Sequence, residues 1–127
     1  MKRSIIDLAE LEPSCGAIDE AHQRTSPSSR AAASEAVLGR AARMLSAAGD
    51  PARLRLLELL SAGERCVTDI AADTGDAMPT VSQRLQVLRR EGLLSSRRDG
   101  KHVFYAVADQ HVFDLITNIL RHAEEPA

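Results

Sequence analysis

The sequence predicts a mainly α-helical domain carrying one β-hairpin, and three observations predict it. Apolar residues recur at helical spacing in separate stretches from residue 29 to the C-terminal end. Around Asp99-Gly100 the period changes to two, with strand-like runs on either side. The chain is 44% hydrophobic but only 2% aromatic, so its core is Leu, Ile, Val and Ala, a composition that suits packed helices.

The 127 residues are enough for one domain with one modest core. No run of about eighteen apolar residues exists, so no membrane span is expected. The N-terminal Met1-Lys2-Arg3-Ser4-Ile5-Ile6-Asp7 has no long apolar region of the secretory kind. Cys15 and Cys66 lie far apart and make no disulfide framework, which points to a reduced, cytoplasmic setting. The net charge is −2, but it is unevenly spread. Between Met78 and His102, six basic residues face Glu91 and Asp99, a local balance of +4 that leaves −6 for the rest. A basic surface on an acidic chain is a footprint for nucleic acid.

Residues 1–30 read as a flexible arm, interrupted by Pro13, Gly16, Pro27 and a serine run. Residues 31–127 form the domain. The first helix is expected from Ser29 to Ala47, with a stripe of Val37, Leu38, Ala41, Leu45 and Ala48. Gly49-Asp50-Pro51 ends it and opens the second, Asp50 serving as N-cap and Pro51 as first helical residue. That second helix runs to about Ser61 and buries Leu54, Leu57, Leu59 and Leu60 in some combination. A third, short helix covers Val67 to Thr74, with Ile70 and Ala71 inward. Gly75 turns the chain into a fourth, Met78 to Glu91, whose buried face is Val81, Leu85 and Leu88. Ala77 stands where a capping serine is common, so Asp76 is the expected cap. A short helix, a glycine turn and a second helix with a polar outer face is the helix-turn-helix pattern.

The hairpin follows at once, Leu93 to Arg98 and Lys101 to Val107 flanking Asp99-Gly100. A hairpin directly after a recognition-type helix is a wing. Its basic tip, Arg97, Arg98 and Lys101, suits phosphates or the minor groove. On the fourth helix Thr80, Ser82, Gln83 and Arg84 are the candidates for base or phosphate contact in double-stranded DNA.

The last helix holds four metal-capable side chains, Asp109, His111, His122 and Glu125. His111 and His122 are eleven residues apart, about 16 Å along one helix, too far for one ion. His122 and Glu125 share a face at i and i+3, and Asp109 and His111 sit together at the other end. Two copies packed antiparallel would bring the first pair of one chain against the second pair of the other. That makes two symmetric sites of two nitrogens and two carboxylates each, a donor set for zinc, with cobalt or cadmium as alternatives.

The segments Gly49-Asp50-Pro51-Ala52-Arg53-Leu54-Arg55-Leu56-Leu57, Cys66-Val67-Thr68-Asp69-Ile70-Ala71, Val81-Ser82-Gln83-Arg84-Leu85-Gln86-Val87-Leu88-Arg89, Glu91-Gly92-Leu93-Leu94 and Arg98-Asp99-Gly100-Lys101-His102-Val103-Phe104-Tyr105 together resemble the ArsR–SmtB family of metal-sensing repressors. The resemblance covers about residues 35 to 125. It implies a winged helix-turn-helix homodimer joined through its first and last helices. Such a dimer holds a palindromic operator while metal-free and releases it on binding metal. It also implies that Asp109, His111, His122 and Glu125 are the zinc-sensing ligands across the dimer. A second metal site is implied at Cys66 and Asp69, completed from the arm by Cys15 and His22 or Asp19. Two departures bear on it. Thr68 stands where soft-metal sensors have a second cysteine, and Asp19 stands where the zinc-type arm has histidine.

Two other functions compete with this reading. A thiol redox switch on Cys66 and Cys15 would lose DNA on oxidation and ignore zinc. A module in which the last helix only dimerises would bind no DNA. An enzyme is not expected, because no nucleophile–base pair or phosphate loop is present.

Overall fold

The computed structural model describes residues 31–126. The arm, with Cys15, Asp19 and His22, lies outside the described residues. Five helices and three strands follow in the order α1 (Glu35–Ala48), α2 (Pro51–Ser61), β1 (Arg65–Cys66), α3 (Val67–Thr74), α4 (Met78–Arg90), β2 (Leu94–Asp99), β3 (His102–Val107) and α5 (Gln110–Glu124). This is a winged helix-turn-helix, mainly helical, with β2–β3 as the wing. No described helix is long and apolar enough to cross a membrane.

The α1–α2 junction follows its sequence signals. Asp50 accepts a hydrogen bond from the Arg53 backbone N–H at 3.0 Å, and Pro51 opens α2. Arg53 Nε also donates to the Ala47 carbonyl at 2.7 Å, satisfying a carbonyl that the end of α1 leaves unpaired. The first helix begins at Glu35 rather than Ser29, since residues 31–34 are not helical. In α2 the buried leucines are Leu56, Leu57 and Leu60, with Leu54 and Leu59 only half-buried. Leu56 was not expected inside, because α2 packs on α1, α4, β3 and α5 at once and buries a broad face.

Ile70 and Ala71 from α3 and Val81, Leu85 and Leu88 from α4 join those leucines in the core, as the spacing predicts. Leu93, Leu94, Tyr105, Val112 and Ile116 close it from the wing base and α5. The end of α4 is fixed by a Schellman motif. The Leu93 N–H donates to the Leu88 carbonyl at 2.9 Å and the Gly92 N–H to the Arg89 carbonyl at 3.0 Å. Gly92 sits at φ 81°, which a side chain would strain.

Two local expectations are corrected. Asp76 does not cap α4. Ala77 is the N-cap residue, without a side-chain bond, so Asp76 lies one residue too early to reach the first-turn N–H groups. Its Oδ2 instead accepts from Arg84 Nη1 at 3.0 Å. Pro79, in the first turn, has no N–H that would have needed a cap. The hairpin loop is Gly100-Lys101 rather than Asp99-Gly100, because Asp99 pairs with His102. Gly100 takes φ 68° at the first loop position, where a glycine-first two-residue turn needs it. The sheet also has a strand that the sequence pattern does not reveal. β1 adds to the far side of β3, in order β1-β3-β2, with Arg65 opposite Tyr105 and Cys66 opposite Phe104. Two residues carry no measurable period.

Candidate nucleic-acid interface and metal-binding helix

The face of α4 away from the core presents Thr80, Gln83, Gln86 and Arg90 as exposed residues, while Ser82 and Arg84 are half-buried. Between α4 and the wing runs a groove of about 390 Å³ lined by Ser82, Gln86, Arg89, Ser96, Arg97 and Arg98. Arg89 Nε donates to Ser96 Oγ at 3.0 Å and ties the helix to β2. Gln86 and Arg89 were not among the expected contact residues. The signal was present, since Ser82, Gln86 and Arg89 are spaced i, i+4, i+7, the buried stripe shifted by one residue.

The basic side chains of this surface are not equivalent. Arg84 is engaged by Asp76, and Arg65 by Asp73. Arg97 makes a two-pronged pair with Glu64, Nε donating to Oε2 and Nη2 to Oε1, both at 2.8 Å. Its guanidinium also lies over the Phe104 ring, 4.6 Å from the centroid. The hydrogen bond from Arg97 holds the Glu64 carboxyl below the usual glutamate range, and the same bond raises the Arg97 guanidinium. Arg98 and Lys101 are exposed and form no ion pair among the described residues.

On α5, Asp109 is the N-cap and accepts from the Val112 N–H at 3.1 Å through Oδ1. His111 Nδ1 lies 3.6 Å from the same oxygen, and His122 Nδ1 lies 3.9 Å from Glu125 Oε1. The two histidine side chains are 96% and 80% exposed. Between them Leu115 and Ile119 are exposed at 43% and 49%. Leu38 and Leu45 of α1 are exposed as well. An apolar groove of about 260 Å³, lined by Ala41, Met44, Leu45, His111, Val112 and Leu115, joins the two helices. Within one protomer no three His, Cys, Asp or Glu side chains among the described residues converge as a metal site.

At the proposed second site, Cys66 is 8% exposed at the start of α3, its thiol 3.9 Å from Thr68 Oγ1. Asp69 is exposed. Cys15 and His22 lie outside the described residues.

Fold and surface together define a DNA-binding winged helix-turn-helix regulator. Residues 50–96 match the family model for bacterial regulatory proteins of the arsR family. The transcriptional repressor SmtB homolog of Synechocystis sp. is 40% identical over 84 residues, 66% of this chain and 64% of that protein. The chain thus spans somewhat less than two thirds of that relative. A homodimeric winged helix-turn-helix DNA-binding domain from Mycobacterium bovis, a possible ArsR-family regulator, is 37% identical with a TM-score of 0.69. The alignment covers 75% of this chain and 91% of that one. The AntR antimony-specific transcriptional repressor is 31% identical with a TM-score of 0.66, covering 78% and 90%. The chain belongs to the ArsR family of transcriptional regulators, and it is not an enzyme.

Proposed function

We propose that this chain is a metal-responsive repressor. As a metal-free homodimer, joined through α1 and α5, it holds a two-fold-symmetric operator with α4 and the wing. It releases that DNA when a divalent ion, zinc first, binds between the two α5 helices. Residues 31–127 do this work.

One observation carries the reading. His111, Leu115, Ile119 and His122 are spaced i, i+4, i+8, i+11, within about 80° of one another around the helix. They form one exposed stripe with a carboxylate beside each terminal histidine. An exposed apolar stripe with polar ends suits a partner surface, and a second copy laid antiparallel is the self-complementary choice. The donor set fits the ion. Two imidazoles and two carboxylates would hold zinc as a closed donor set, which cobalt would also accept, while cadmium is softer than these ligands favour. Asp109 keeps Oδ2 for this role while Oδ1 caps the helix.

Bound there, a divalent ion supplies a fixed link between the helices. The α5 pair then sets the angle between protomers, and the two α4 helices leave the spacing of about 34 Å that successive turns of DNA require. Linkage makes the effect mutual, so DNA weakens metal binding by the factor that metal weakens DNA binding. The burial of Cys66 weighs against the redox alternative, since an oxidant needs access to the sulfur.

Cobalt titration of the reduced, metal-free protein tests this. Tetrahedral bands at one ion per protomer, without a thiolate charge-transfer band, are expected. A strong thiolate band would move the metal to Cys66, and no tight binding would sink the metal-sensor reading.

A further inference from the structure

The Glu64–Arg97 pair is built by the register of the sheet. Arg97 pairs with Phe104, and Phe104 pairs with Cys66, so the three form one row across β2, β3 and β1. Glu64 lies just before β1, two residues before Cys66 and diagonal to that row. Arg97 therefore reaches across the sheet, over the Phe104 ring, to a carboxylate 33 residues away in sequence. The side-on fork of Nε and Nη2 is used, and the guanidinium carbon lies 4.6 Å from the ring centroid.

We propose that Glu64 is a specificity-determining residue: its carboxylate occupies Arg97 in place of a DNA phosphate and so limits binding to non-operator DNA. The inference rests on the reading of the wing as a DNA-contacting element.

A guanidinium engages carboxylate and phosphate through the same two-pronged geometry. Glu64 takes Nε–H and one Nη2–H, so a phosphate can reach only the outer Nη1 and Nη2 hydrogens of a guanidinium whose charge the carboxylate already offsets. A phosphate drawn to it also meets the negative charge of Glu64. Arg98 and Lys101, with no ion pair among the described residues, remain available to any duplex. Non-specific affinity is set by the number of phosphates neutralised, so withholding one cation lowers it directly. An operator that aligns both half-sites can displace the carboxylate. A random duplex, bound loosely in many registers, does so less. The rival possibility is an exposed ion pair with no measurable effect, which is common.

The test uses a random-sequence duplex and fluorescence anisotropy across salt concentrations. Its proteins are wild type, Glu64→Gln, Arg97→Ala, the double variant and Glu58→Gln. Glu58 pairs with Arg55 on α2, so its substitution gives the same change in net charge away from the wing. Glu64→Gln is expected to steepen the dependence of log affinity on log salt by about 1.8 per dimer, one extra phosphate contact from each protomer. Its advantage over wild type then grows about 12-fold as salt falls from about 0.2 M to about 0.05 M. Glu58→Gln is expected to leave the slope unchanged, and the double variant to match Arg97→Ala. An unchanged slope for Glu64→Gln, or a gain that survives removal of Arg97, would overturn the inference while leaving the interface intact. Wild-type protein that binds no duplex at any salt would overturn the interface reading itself.

Discussion

Single residues here act mainly through what they hold in place. Glu64 shows this in its titration. The bond from Arg97 favours the charged carboxylate, so its folded pKa is lowered. A lowered carboxylate contributes stability that is present above the unfolded pKa and is lost as pH falls through the folded one. The pair should thus part at a lower pH than that at which an ordinary glutamate protonates. An NMR titration of the Glu64 carboxyl should show that low midpoint, moving up towards the ordinary range in Arg97→Ala. Gly92 acts through the backbone. At φ 81° an alanine pays a left-handed strain, so Gly92→Ala should cost about 1–2 kcal/mol in urea unfolding. The Cβ itself would meet only the end of the Met44 side chain at 3.9 Å, so sterics add little. A loss well above that range would mean that the turn at the base of the wing holds more than its own geometry.

Elements were legible where their signals are local. Asp50 and Pro51 announce α2, and Val81, Leu85 and Leu88 announce the buried face of α4 by spacing alone. The cap at Asp50 can be tested directly. Its bond to the Arg53 N–H is the side-chain cap of α2, so Asp50→Ala should lower stability by about 1 kcal/mol in thermal or urea unfolding. No change would show that Pro51 and the Arg53 bond to Ala47 suffice to start the helix. What the sequence hid is long-range. β1 exists only because Arg65 and Cys66 meet β3, and two residues show no alternation of their own. Leu56 is buried because four elements surround α2, which a one-face reading of a helix does not anticipate. The expected cap at Asp76 failed because the N-cap falls one residue later, at Ala77, and Asp76 meets Arg84 instead. At the candidate sites the pattern repeats. The histidine–carboxylate pairs of α5 are i, i+2 and i, i+3 neighbours, readable as written. The carboxylates that hold Arg84 and Arg97 come from other elements, and no spacing rule points to them.

At the scale of the whole molecule, one protomer is visibly incomplete. The exposed stripe on α5 runs on into the exposed leucines of α1 through a shared apolar groove, and among the described residues neither end of α5 gathers three metal donors. The proposed dimer answers both facts with one contact, which makes it open to a complementation test. Take one variant with Asp109 and His111 replaced by alanine and another with His122 and Glu125 replaced. Each homodimer loses half of the ligands from both sites, so neither should bind cobalt tightly. Unfolded together and refolded, the two variants form a mixed dimer in which one site has four mutated positions and the other has none. The mixed dimer should therefore regain one tight tetrahedral site per dimer, half the wild-type number, with wild-type absorption bands. If each site were built within a single protomer, mixing would restore nothing, because every chain carries a lesion. If the mixed sample recovered two sites, the ligands would lie elsewhere. The same mixture tests the coupling to DNA. A single restored site that releases the operator would show that one link between the α5 helices is enough to change the spacing of both α4 helices, as expected for protomers that turn about their shared interface as rigid bodies.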